Sequence, residues 1–61
     1  MTAHDLIRIL EEHGWYFVRQ SGSHKIFKHE QSTQTLSVPD HGKKDMGKGL
    51  VNSILKQAGL K

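Results

Sequence analysis

The residue best suited to chemistry in this chain is His24, which directly follows the turn-forming pair Gly22-Ser23. A neutral imidazole titrates near physiological pH and can take or give a proton. Arg19, Ser23, Lys25 and Lys28 lie near it in sequence, three cations and a hydroxyl suited to holding a phosphate. Trp15-Tyr16-Phe17-Val18-Arg19-Gln20 before the turn and Lys25-Ile26-Phe27-Lys28-His29 after it are rich in aromatic and β-branched residues and read as strands. His24 therefore opens the second strand of a hairpin, where the strand fixes its direction and the turn leaves room for a substrate. Spacing alone leaves two readings open: an exposed strand histidine with no chemistry, or a proton-transfer group in a basic neighbourhood.

Five histidines and no cysteine invite a metal reading, and the spacing argues against it. His24 and His29 fall on one strand an odd number of residues apart and so point to opposite faces. His4 and His13 belong to one helix on roughly opposite sides, and His29-Glu30 does not continue as a zinc-binding H-E-x-x-H. No metal or other cofactor is expected. The basic stretches Gly42-Lys43-Lys44 and Gly47-Lys48-Gly49 match neither phosphate-loop pattern, but with His41 they are candidates for contacts to a nucleic-acid phosphate, against the alternative of a solvated loop.

The elements that position these groups follow from periodicity. Thr2 with Asp5 resembles a capping box, and Leu6, Ile7 and Leu10 recur at helical spacing until Gly14, predicting a helix over residues 3–13. Strands are expected over 15–20 and 24–29, joined by Ser21-Gly22-Ser23. The alternating stretch 33–38 gives a third, stopped by Pro39. After a polar, basic loop over 40–48, Leu50, Val51, Ile54, Leu55 and Ala58 mark a second helix closed by Gly59. Two apolar helical stripes and one meander predict an α+β layer pair, with both helices on one face of a three-stranded antiparallel sheet and the other face wet. Trp15, Tyr16, Phe17 and Phe27 offer the rings of a base-stacking platform, but no RNA-binding sheet motif accompanies them and so small a core needs most of them inside.

At 61 residues the chain is expected to be one domain, residues 1–61, with a thin core and no deep cavity, so a substrate would lie across its surface. The absence of cysteine removes disulfides, thiolate metal sites and cysteine nucleophiles. The first residues lack the pattern of a secretion signal, no apolar run approaches a membrane span, and a cytoplasmic protein is the default. The net charge of +3 is uneven: residues 1–13 carry one cation against three acids, and residues 14–61 carry eight cations against three. The excess beyond the first helix points to a polyanionic partner such as RNA, with a merely solubilising surface as the alternative.

Taken in order, His13-Gly14-Trp15, Arg19-Gln20-Ser21-Gly22-Ser23-His24, Val38-Pro39-Asp40-His41, Lys44-Asp45 with Gly47 and Gly49, and Ile54-Leu55-Lys56-Gln57-Ala58-Gly59-Leu60 resemble the HicA family of toxins. The family consists of small messenger-RNA interferases of type II toxin-antitoxin systems. The chain departs from its pattern at Gly49-Leu50-Val51-Asn52, where a hydroxyl residue after the glycine and a basic residue near position 52 are more usual. The resemblance implies a double-stranded-RNA-binding-domain-like α-β-β-β-α fold and a catalytic role for His24. It further implies metal-independent cleavage of mRNA, and a HicB-type antitoxin partner that covers the His24 region and carries the DNA-binding function. Lys25, Lys28 and His41 are then candidates for a second proton transfer or for meeting the charge that develops on phosphate. Two other readings are a non-catalytic RNA-binding module and a domain that binds an acidic protein.

Overall fold

Thr2 starts the first helix by the reciprocal bonds its spacing predicts. The Asp5 N–H donates to Thr2 Oγ1 at 3.3 Å and the Thr2 N–H donates to Asp5 Oδ2 at 3.2 Å, which satisfies two of the amides that a helix leaves unpaired at its start. The computed structural model describes all 61 residues, in the order α1 (Ala3–Glu12), β1 (Tyr16–Ser21), β2 (His24–Lys28), β3 (Leu36–Pro39) and α2 (Lys48–Gln57). This is the expected helix, three strands and helix. The strands form one antiparallel sheet in the order β1-β2-β3.

β1 runs one residue later than its sequence suggests, β2 ends one residue earlier, and β3 differs most. β3 begins only at Leu36, because Ser32 Oγ accepts from the Gln34 N–H at 3.1 Å and the Ser32 N–H donates to His29 O at 3.1 Å, folding the preceding residues into a turn. The strand ends at Pro39, which is itself the last residue of β3 and pairs with His24. A proline fits there because β3 is an edge strand, where a missing N–H on the outer side costs no ladder bond.

The core joins one face of the sheet to both helices. Leu6 and Leu10 of α1, Val51 and Ile54 of α2, and Phe27, Leu36 and Val38 of the sheet are buried in one cluster with Ala3 and Trp15. Register explains the sheet's share. Phe27 pairs with Leu36 and Lys25 with Val38, so these four side chains stand on the face that the helices cover. Both helices pack against β3 and leave β1 overhanging, with all six of its residues exposed.

That overhang, for Phe17, and the uncovered face, for Tyr16, correct the expectation that most of the aromatic residues are needed inside. Trp15 and Phe27 are buried, at 4% and 1% exposure, whereas Tyr16 and Phe17 are 48% and 49% exposed. Phe17 lies on the helix side and meets Phe27 edge-on with ring centroids 5.9 Å apart. Tyr16, the direct partner of Lys28, lies on the other side.

The turn between β1 and β2 is the two-residue loop Gly22-Ser23, with Gly22 at φ +60° and no positive φ at Ser23. Positive φ confined to the first loop residue is the pattern of a type II′ hairpin turn, which favours glycine in that place. Gln20 Nε2 donates to Gly22 O at 2.9 Å and fastens the turn to its own strand.

Candidate active site on the open sheet face

The face of the sheet turned away from the helices carries the candidate chemistry. Along β2, Phe27 points into the core, so His24, Ile26 and Lys28 point the opposite way. Directly paired residues share a face, which adds Ser21 and Pro39 beside His24, Arg19 and Ser37 beside Ile26, and Tyr16 beside Lys28. His24 thus stands exposed at the head of β2, flanked on both sides by the ends of its neighbouring strands. Arg19 is its diagonal neighbour, at a backbone separation of about 7–8 Å for such positions.

A β-bulge decides this grouping. Residues 16 and 19 of a regular strand would point to opposite faces. The register shifts between Phe17 and Arg19, with Val18 as the extra residue, so Tyr16 and Arg19 both face the His24 side.

The other cations named from the sequence divide into three groups. Lys28 lies on the open face, four residues along β2 from His24. Lys25 stands on the helix side with Gln20 and Phe27, and its Nζ meets Asp40 Oδ2 at 2.8 Å. The structure therefore does not bring Lys25 to the face that bears His24. His41 and Lys44 line a cleft of about 170 Å³ with Pro39, Asp45 and Leu50, and since Pro39 pairs with His24 the cleft borders the site. Lys43 is exposed in the same loop, and Lys48 is the exposed first residue of α2. The loop is tied down at its far end: the Met46 N–H donates to Met1 O at 2.7 Å and the amino terminus meets Asp45 Oδ1 at 2.5 Å.

Asp40 is a residue that the sequence reading did not single out. Its N–H donates to Ser23 O at 2.7 Å, its Oδ2 pairs with Lys25, and its Oδ1 accepts from the Gly42 N–H at 3.0 Å. The Lys25 ammonium first, and then the Gly42 N–H, hold this carboxyl below its ordinary value of 3.8. Asp40 grips the residue before His24 by its main chain and the residue after it by its side chain. One signal for this was present in the sequence: once Phe27 is assigned to the core, alternation sends Lys25 to the same side, where a cation requires a partner.

At the opposite end of β2, His29 is absorbed by structure. Its Nδ1 accepts from the Gln31 N–H at 3.0 Å, which leaves Nε2 as the donor to His13 O at 2.9 Å, and the Trp15 ring meets it edge-on with centroids 5.2 Å apart. Both ring nitrogens are occupied. His13 is likewise engaged, with Nδ1 2.8 Å from Ile9 O at the end of α1. Of the imidazoles on the sheet and its connections, His24 and His41 are left with ring nitrogens free of protein partners.

A family model for the HicA toxin of bacterial toxin-antitoxin systems matches residues 3–60. The chain belongs to the HicA toxin family. A relative named "Probable mRNA interferase HicA" from Pseudomonas fluorescens (strain Pf0-1) is 46% identical over 54 residues, covering 88% of this chain and 87% of the relative. The match to the HicA family model runs from the start of α1 past the end of α2, so it takes in the whole sheet and the hairpin that presents His24. No helix of this HicA-family chain is long and apolar enough to cross a membrane.

Proposed function

We propose that the chain is a toxin that cleaves messenger RNA in the cytoplasm, with residues 1–61 acting as one interferase domain and His24 as its catalytic group. The observation that carries this reading is the exposed imidazole of His24 on an open, basic sheet face shared with Arg19 and Lys28, in a chain of the HicA family. The name of the Pseudomonas relative, an mRNA interferase, supports the same substrate.

The chemistry suits an imidazole without a metal ion. Attack of the ribose 2′-oxygen on the adjacent phosphorus forms one P–O bond while the bond to the 5′-oxygen breaks. The 2′-hydroxyl proton passes to a base, and a proton from an acid reaches the leaving oxygen. His24 performs one of these transfers. His41, two residues beyond the Pro39 that pairs with His24, is the candidate for the other. Arg19, the diagonal neighbour of His24, stabilises the charge that gathers on the phosphate, and Lys28, farther along β2, holds a neighbouring phosphate of the same strand. Ser23, Lys43, Lys44 and Lys48 extend the RNA-binding surface around the turn and the start of α2, and Lys25 acts through its pairing with Asp40.

The partner in this reading is a HicB-type antitoxin that covers the His24 face and supplies the DNA binding that the toxin lacks. Induced expression of wild type beside His24→Ala tests the proposal. Wild type is expected to arrest growth, with transcripts cut to 2′,3′-cyclic phosphate ends both in cells and in purified reactions containing EDTA, and His24→Ala to do neither. Equal arrest by both proteins, or 3′-hydroxyl ends, would overturn it.

A further inference from the structure

Tyr16 stands on the uncovered face of the sheet without a packing partner. Phe17 beside it packs on Phe27, whereas the Tyr16 ring stacks on no aromatic neighbour and its hydroxyl bonds to no protein group. It lies on the His24 face opposite Lys28, and the rise of a strand puts the Lys28 row about 13 Å from the His24 row. A nucleotide that presents its phosphate to His24 cannot also reach Tyr16, but a neighbouring nucleotide of the same strand can.

Tyr16 also borders a shallow recess of about 380 Å³, shared with Gly14, His29, Glu30 and Gln31. Both ring nitrogens of His29 are already engaged there. The Glu30 carboxylate forms no ion pair, and the Gln31 side chain forms no hydrogen bond to the protein. An aromatic face beside an unpaired carboxylate and an unpaired amide is the equipment for one nucleobase: the ring takes its π-face, and the polar groups take its hydrogen-bonding edge.

We infer that Tyr16 is a base-stacking subsite for single-stranded RNA, displaced along β2 from the cleaved bond, with Lys28 on the intervening phosphate. This rests on the reading that RNA lies across the open face, and it adds the class of RNA. A base inside a duplex has both faces covered by its neighbours and offers Tyr16 nothing to stack on, so the subsite selects unpaired RNA. The bulge at Val18 contributes directly, because it keeps Tyr16 and Arg19 on the same face and so lines up a stacking group and a phosphate group along one track.

The test measures binding in the His24→Ala background, where cleavage plays no part. The probe is a labelled RNA of about 12 nucleotides without self-pairing, used alone and annealed to its complement. Tyr16→Ala and Tyr16→Val are expected to weaken single-strand binding about tenfold, while Tyr16→Phe and Tyr16→Trp retain it, and duplex binding is expected to be the same in all five proteins. Tyr16→Val keeps a strand-forming residue, so its loss of affinity cannot be assigned to unfolding. Unchanged single-strand binding by Tyr16→Ala, or an equal loss on the duplex, would overturn the subsite. Failure of the catalytic reading shows elsewhere, as cleavage that survives His24→Ala.

Discussion

Lys25 Nζ and Asp40 Oδ2 lie 2.8 Å apart, and through this pair and the Asp40 N–H bond to Ser23 O both sequence neighbours of His24 are held by a single residue. Catalytic geometry is sensitive to small displacements, and the pair acts on the backbone that carries the imidazole. Asp40→Asn and Lys25→Met are each expected to lower kcat about tenfold while leaving KM within about twofold. The double variant should lose no more than the worse single one, since both break the same link. Multiplied losses in the double variant would show two independent roles.

The same geometry separates the cations by salt dependence. Arg19→Gln and Lys28→Gln, on the open face, should each reduce the slope of log affinity for RNA against log salt by about 1. Lys25→Met should leave that slope unchanged, because its charge is committed to Asp40 on the other side of the sheet. Titrations of labelled RNA at several salt concentrations distinguish the two groups.

Gly14 has φ +93°, and a Cβ built on it would come 2.7 Å from His29 Nε2. Gly14→Ala therefore meets both a left-handed backbone and the imidazole that bridges to His13 O. Gly22 also has a positive φ, but a Cβ there meets nothing within 4 Å. Thermal unfolding should show Gly22→Ala losing about 1–2 kcal/mol from backbone strain alone, and Gly14→Ala losing more. Equal losses would mean that His29 moves aside freely.

Hydrogen bonds from Thr2, its backbone N–H first and its side-chain hydroxyl second, hold the Asp5 carboxyl below its ordinary value of 3.8. A carboxyl depressed in the folded state stabilises it at pH values above the unfolded value. That contribution is lost as pH falls through the lower folded value. Asp5→Asn should lower the thermal midpoint at neutral pH, and the difference from wild type should shrink as the pH is taken below 3.8. Thr2→Ala, which removes the cap, should cost about 1 kcal/mol, equivalent to about 4–8 °C in a chain of this size.

Much of this arrangement was legible before any coordinates. The capping box at Thr2 and Asp5, the stripe from Leu50 to Ala58 and the hairpin at Gly22-Ser23 are local patterns that local physics reproduces, and the chain-wide motif order pointed to the HicA family. The relations that escaped depend on contacts between distant segments. Pro39 looked to lie just past the strand because its pairing with His24 is a property of the sheet, not of its own neighbours. Phe17 looked like core because composition does not tell that the helices pack chiefly against β3, and Tyr16 because composition does not tell which face of the sheet it takes. Val18 carries no mark of a bulge, and without the bulge the residues sharing the His24 face cannot be assigned.

The bulge at Val18 has a second consequence, for how copies of this chain behave together. β1 is an outer strand whose backbone edge is unpaired along Tyr16-Phe17-Val18, an apolar stretch that invites a like strand from another molecule. The extra residue interrupts that edge and bends it away from straight pairing. Removing Val18 would leave Tyr16 opposite Lys28 and Arg19 opposite Ile26, so the facing of the side chains would survive while the edge became regular. Such a chain keeps its open face and gains a template for polymerisation. One surplus residue makes the exposed edge of β1 a poor template.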